Sequence, residues 1–282
     1  MPVGGRLTPG VLGSCGAMIS NLHNEESNPS RRATPVSASL LESAIERGGL
    51  HPFFHAKFSA SDRKLVGAEA LARIATPQSG LASPAGYVEL AERSERIDAL
   101  TYVMARAVAG HVAGFDGLPC SINISPMSLE RPAFADTLAK TIIDSGLDCS
   151  QFVLEVTESR VLEYGAHAFQ TMAALRSHGF GLAIDDFGAG PSNIDRMRNY
   201  PFTEVKIDPA FTQLAMSEPY AMAALVNCVR LARDHGLRIV AEGIETQDML
   251  DVMTSLKVDQ VQGFLLSRPM QPADFRDMLK RD

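Results

Sequence analysis

Cysteine is scarce in this sequence, and the few present form no pattern. Cys15, Cys120, Cys149 and Cys228 are the only four among 282 residues, and no two make a C-x-x-C pair. That spacing suggests neither a zinc site nor a redox couple, and free thiols suit a reducing cytoplasm. Basic runs are missing as well: Arg31-Arg32 is the longest outside the C-terminal tail, and the formal net charge is −7. A nucleic-acid binder carries a basic stripe, so no direct nucleic-acid binding is expected. No apolar stretch reaches the roughly 20 residues of a membrane span, so no membrane association is expected either. Acidity still permits an anionic ligand, because a divalent metal held by carboxylates reverses the local field.

What remains is ordinary globular composition, 45% apolar and 21% charged. Residues 1–36 are rich in Gly, Ser, Pro and Asn and lack periodicity, which reads as a disordered leader before a domain over 37–282. Leu12-Gly13-Ser14-Cys15 resembles a lipoprotein cleavage box, but the apolar run before it is too short for a signal core. The leader is also expected to be too short for a second folded domain.

From Ser37 onward, β-rich runs alternate with amphipathic stretches. Strands are expected at 53–59, 66–74, 119–125, 151–157, 181–187, 204–208, 238–243 and 259–265. Helical spacing of apolar residues occupies 84–94, 97–113, 128–145, 165–178, 219–235 and 246–256. Only a turn around Ser61-Asp62 separates the first two strands, so these should form an antiparallel hairpin. The remaining alternation implies parallel strands with right-handed crossovers. The fold expected is α/β, a TIM-like (β/α)8 barrel with one antiparallel strand, which needs roughly 250 residues.

The strands are not uniformly apolar. Polar residues gather near their C-terminal ends: Glu69, Asn123, Glu155, Asp185 with Asp186, Lys206 with Asp208, Glu242 and Gln262. That face of such a barrel carries the active site. Several carboxylates aimed at one mouth repel strongly unless a cation sits among them, and hard oxygen ligands select Mg²⁺, Mn²⁺ or Ca²⁺. Asp185 and Asp186 cannot both point inward on an ideal strand; the glycines of Phe187-Gly188-Ala189-Gly190 are expected to supply the break that lets them converge. Lys206 and Asp208 share one face of their strand, and Asp208 is expected to pair with a nearby base. Glu245 reads as a charge favourable to a helix N-terminus, and His178 and His235, each just before a glycine, as helix-terminal residues.

Glu69-Ala70-Leu71, followed by Ala72-Arg73, resembles the motif that names the EAL family. The likeness continues through SINIS (121–125), LEVTES (154–159), IDDFGAG (184–190), VKID (205–208), VAEGIET (240–246) and VQGFLLSRP (261–269). Seven motifs in order over roughly residues 50–270 are highly specific. The resemblance implies a phosphodiesterase that opens cyclic di-GMP to linear pGpG with two Mg²⁺ or Mn²⁺ ions. It implies that Glu69, Asn123, Glu155 and Asp185 hold the first metal, with Asp185 bridging to a second that Asp186 completes. Lys206 would contact or activate the attacking water, with Glu242 and Gln262 beside it. Arg73, with Leu71 and His55, would contact the dinucleotide. Glu158 would anchor the loop 187–193. Homodimerisation and a regulatory protein partner are compatible with the family.

Three departures stand out. Phe54-His55-Ala56 replaces the usual Tyr-Gln-Pro, the usual Gln being a ligand contact. Gly188-Ala189-Gly190-Pro191-Ser192-Asn193 replaces the usual Gly-Thr-Gly-Tyr-Ser-Ser, and Ile74 replaces an aromatic. They motivate the alternative: a weak or inactive EAL module that binds cyclic di-GMP or a protein partner and regulates gene expression, virulence or motility.

Overall fold

The computed structural model describes residues 36–76, 80–157, 166–188 and 200–281. Residues 1–35 of the expected leader, Glu158 and most of the 187–193 loop lie outside the described residues.

Eight strands close into a ring. They are β1 (Leu50–Ser59), β2 (Leu65–Thr76), β4 (Cys120–Asn123), β5 (Phe152–Thr157), β6 (Gly181–Phe187), β7 (Glu204–Ile207), β8 (Arg238–Ala241) and β9 (Gln260–Val261). The short β3 (Gly80–Ala82) pairs with the end of β2 outside the ring. The strands run parallel except β1, which is antiparallel to both its neighbours, β2 and β9, and so closes the barrel. The hairpin between β1 and β2 and the single irregular strand are as the sequence implies.

The helices among the described residues are α1 (Ala38–Arg47), α2 (Val88–Arg93), α3 (Ile97–Val112), α4 (Pro126–Leu129), α5 (Phe134–Ile143), α6 (Ala166–Ser177), α7 (Pro209–Ser217), α8 (Pro219–Asp234), α9 (Gln247–Ser255) and α10 (Pro272–Leu279). The single helix expected over 128–145 is two: α4 starts at Pro126 behind its cap Ser125, and a break at Glu130–Ala133, which contains Pro132, separates it from α5. Proline lacks the N–H that a continuous helix needs there. The first and last helices, α1 and α10, and the short α7 had no counterpart in the periodicity. Ser37 caps α1 by accepting from the Leu40 N–H, and Gly48 ends it at φ 80°. Thr246 caps α9, leaving Glu245 one residue outside and exposed. His178 follows α6 and pairs with Asp136 at 2.8 Å, and His235 ends α8.

Strand alternation sorts the core. On β1 and β2, Phe54, Ala56, Ala68 and Ala70 join the main apolar core between barrel and helices. Ile74 joins a second cluster, with Leu41 and Ile45 of α1 and with Tyr87, Ile97 and Leu100. The alternate positions, His55, Lys57, Glu69, Leu71 and Arg73, are buried but belong to neither apolar cluster. Period-two geometry therefore gives one face to packing and the other to a polar barrel interior.

Candidate functional site

The site is built where the parallel strands end. The regular ladder stops early, but single main-chain hydrogen bonds extend it under the functional residues. The Asp208 N–H donates to Phe187 O at 3.0 Å, Glu242 N–H to Ile207 O at 3.2 Å, and Gln262 N–H to Ala241 O at 2.9 Å. Glu242 and Gln262 thus sit just past β8 and β9 with strand-like rigidity. Gly263 is obligatory there, because a Cβ would run into the backbone of Ile244.

A buried ammonium occupies the centre. Lys206 Nζ lies 2.7 Å from Glu155 Oε2, 2.9 Å from Glu242 Oε1, 3.0 Å from Asp185 Oδ1 and 3.6 Å from Glu69 Oε2, with its side chain fully shielded from solvent. Burial alone would lower its pKa, but Asp185, Glu155, Glu242 and Glu69 outweigh burial and hold it well above the usual range. Lys206 therefore keeps its proton and acts as a donor.

The carboxylates divide into two kinds. Glu155 is held down to about 2: burial opposes ionisation, but Lys206 and Lys57 grip its two oxygens and win. Glu69, Asp185 and Glu242 are pushed up by burial, Lys206 only partly offsetting it. One ammonium cannot neutralise them all.

The two aspartates converge by a device different from the expected glycine break. The register between β6 and β7 slips between Ile184 and Phe187, and Asp186 itself takes φ 60°. A left-handed residue inside a strand reverses the alternation locally, so neighbouring side chains can reach one place. Gly188 follows at φ 99°, where a Cβ would collide with the Phe211 ring. As a result, oxygens of Asp185, Asp186 and Glu242, all buried, lie within 4.8 Å of one another. Glu242 Oε2 is buried with no hydrogen-bond partner among the described residues. A buried oxygen left without a hydrogen-bond partner is costly, and this acidic cluster can hold a metal ion.

Glu69 is held from both sides. Asn123 Nδ2 donates to Oε1 and Gln262 Nε2 to Oε2, each at 2.9 Å. Gln262 Nε2 also lies 2.7 Å from His55 Nδ1. An amide NH₂ is only a donor, so Nδ1 accepts and the imidazole proton is on Nε2, which donates to Ser267 O at 3.1 Å. Burial lowers the His55 pKa to about 4, the Ser267 carbonyl only partly opposing it, so the ring is neutral near neutral pH. His55 and Glu69 are also register partners across β1 and β2.

Above Glu69 on the same face of β2 come Leu71 and Arg73. Arg73 donates to Ala72 O at 3.0 Å, and its guanidinium lies 5.7 Å from the Phe53 ring centroid. Asp208 caps α7, accepting from the Phe211 N–H at 2.9 Å, and no ion pair to it is seen among the described residues. Its expected partnership with a base is replaced by this capping role. The structure thus brings together Glu69, Asn123, Glu155, Asp185, Asp186, Lys206, Glu242, Gln262 and His55, with Leu71 and Arg73 at the rim.

Two buried residues carried no motif. Lys57 Nζ lies 2.7 Å from Ser121 Oγ, 2.9 Å from Glu155 Oε1 and 3.3 Å from Glu204 Oε1. Glu204 in turn reaches Arg238 at 3.4 Å. Strand alternation was the available signal: Lys57 shares a face with His55, and Glu204 with Lys206.

A match to the EAL domain family spans residues 38–269. The cyclic di-GMP phosphodiesterase PA2567 of Pseudomonas aeruginosa is 31% identical over 255 residues, which is 89% of this chain and 43% of that protein. The cyclic di-GMP phosphodiesterase RocR of the same organism is 29% identical over 83% of this chain and 60% of its own length. The chain therefore spans about half the length of these two relatives. The solved structure of PaMucR phosphodiesterase in complex with c-di-GMP is 30% identical and superimposes with a TM-score of 0.77, covering 83% of this chain and 97% of that one. With its barrel, its ordered strand-end residues and a family match over most of its length, the chain belongs to the EAL domain family.

Proposed function

We propose that this chain is a metal-dependent phosphodiesterase that hydrolyses cyclic di-GMP to linear pGpG. The observation that carries the reading is the crowding of Glu69, Glu155, Asp185 and Glu242 around one ammonium, with Asp186 drawn in beside Asp185. That donor set suits two Mg²⁺ or Mn²⁺ ions, the first held by Glu69, Asn123, Glu155 and Asp185, the second by Asp185 and Asp186. Glu242 lies close enough to the two aspartates to join the second set. When bound, the ions would lower the pKa of water and take up charge on the attacking and leaving oxygens.

The remaining roles follow from the side chains. Lys206, kept protonated, orients the attacking water and stabilises negative charge through Nζ. Glu242, its carboxyl pushed up by burial, is placed to take the water's proton at Oε2, which has no hydrogen-bond partner among the described residues. Gln262 and Asn123 fix the Glu69 carboxylate. Arg73 offers a guanidinium to a phosphate and Leu71 an apolar wall to a base. Glu158 and the loop it would anchor remain part of the proposal from the motif alone.

No helix among the described residues is long and apolar enough to cross a membrane. Buried thiols at Cys120 and Cys149, neither in a disulfide, support a cytoplasmic site of action. Purified protein with cyclic di-GMP and Mn²⁺ tests the reading: the product expected is linear pGpG, and dinucleotide that binds but stays intact would replace enzyme with receptor.

A further inference from the structure

The acidic cluster is supported from beneath by a second buried ammonium that no motif marks. Lys57 has three N–H donors and three acceptors within reach: Ser121 Oγ, Glu155 Oε1 and Glu204 Oε1. Its donors are saturated, and its side chain is 4% exposed, so it has nothing left to offer a substrate. Burial by itself would lower its pKa, but Glu155 and Glu204 keep it firmly charged.

The geometry at Glu155 is specific. Oε1 is taken by Lys57 and Oε2 by Lys206, so the two lysines grip the carboxylate one oxygen each and fix its plane. Glu204 holds Lys57 in turn, and Arg238 holds Glu204 from a side chain that is half exposed. A continuous chain of ion pairs therefore runs from the surface at the start of β8, through the barrel interior, to the metal-binding cluster.

We propose that Lys57 is a positioning residue: it aims Glu155 at the cation site and leaves Lys206 free to serve Glu69, Asp185 and Glu242. Without Lys57, Lys206 is the sole ammonium left to Glu155 and is drawn towards it, away from the other three. This inference rests on the proposed metal site. It makes a prediction opposite in sign to simple electrostatics, because deleting a positive charge beside a cation site should tighten cation binding by Coulomb's law. Loss of aim should weaken it.

The test is Mn²⁺ titration of the native chain and of Lys57→Met, with thermal unfolding run on both. Supporting groups around metal ligands typically carry about 10–100-fold in affinity, so Mn²⁺ binding about tenfold or more weaker is expected in a variant that still unfolds cooperatively. Turnover should fall through kcat, with KM for cyclic di-GMP little changed. Glu204→Gln, which keeps both lysines but loosens Lys57, should weaken Mn²⁺ binding in the same direction by less, and it decides the matter if Lys57→Met does not fold. Native binding with equal or tighter binding in the variants would overturn the inference alone. A native chain that binds no Mn²⁺ would overturn the metal site and this inference together.

Discussion

His55 Nδ1 accepts a hydrogen bond from Gln262 Nε2 at 2.7 Å, and that same amide nitrogen donates to Glu69 Oε2 at 2.9 Å. The imidazole in place of the family's usual glutamine is thus tied to the orientation of a carboxylate at the centre of the site. Its other nitrogen is held by the Ser267 carbonyl.

His55 should mark the stability of the metal-free protein. Its folded pKa, lowered by burial from 6.5 to about 4, means that the unfolded chain binds the extra proton more readily between those values. Stability supplied by the neutral ring is present above about pH 6.5 and is lost as pH falls towards 4. The shift corresponds to roughly 3 kcal/mol at most. Urea unfolding of His55→Gln with chelator present should show a shallower loss across that window than the native chain. Parallel curves would mean that the ring is not buried neutral.

Glu69→Ala should abolish hydrolysis while the barrel stays folded. The side chain is 1% exposed and its carboxyl is raised by burial, so its removal relieves repulsion and loses a ligand. Turnover and melting temperature on one preparation check this. Native turnover in the variant would remove Glu69 from the site.

Asp186 separates function from stability. It adopts φ 60°, a conformation that costs a non-glycine residue of order 1 kcal/mol. Asp186→Gly should leave folding stability unchanged or raise it by up to about 1 kcal/mol, while Mn²⁺ binding and hydrolysis fall. A clear loss of stability would show that the carboxylate, not the backbone, decides its place.

Cation binding should stabilise the protein more as pH rises. Folded Glu69, Asp185 and Glu242 have raised pKa values caused first by burial. Without metal, their contribution to stability is present below about pH 4, where the carboxyls are protonated in both states, and is lost as pH climbs through the raised folded values. A divalent cation displaces those protons. Melting curves with and without Mn²⁺ should therefore diverge as pH rises above about 4, with the larger gap at the higher pH. A constant gap would argue against carboxylate ligands.

Much of this was legible in the sequence because barrel strands are expected to be apolar, so Glu69, Glu155, Asp185 and Lys206 stood out at their ends. Asn123 and Gln262 stood at strand ends as well, but their roles were legible only through the motifs, since a single amide near a strand end has many ordinary uses. Lys57 and Glu204 were missed for a physical reason: each lies on the inward face, but their pairing joins β1 to β7, and period-two spacing says nothing about which strands meet across a barrel. Asp186 was named beside Asp185, but its left-handed backbone could not be read, since it goes with the register slip against β7. Asp208 was misassigned because α7, which it caps, is short and lacks a strong apolar stripe.

The most direct test of the central claim is hydrolysis of cyclic di-GMP by the purified native chain in saturating Mn²⁺, with a matched reaction in excess chelator. The account predicts linear pGpG in the first and none in the second. Intact dinucleotide at saturating Mn²⁺, or full turnover in chelator, would contradict it.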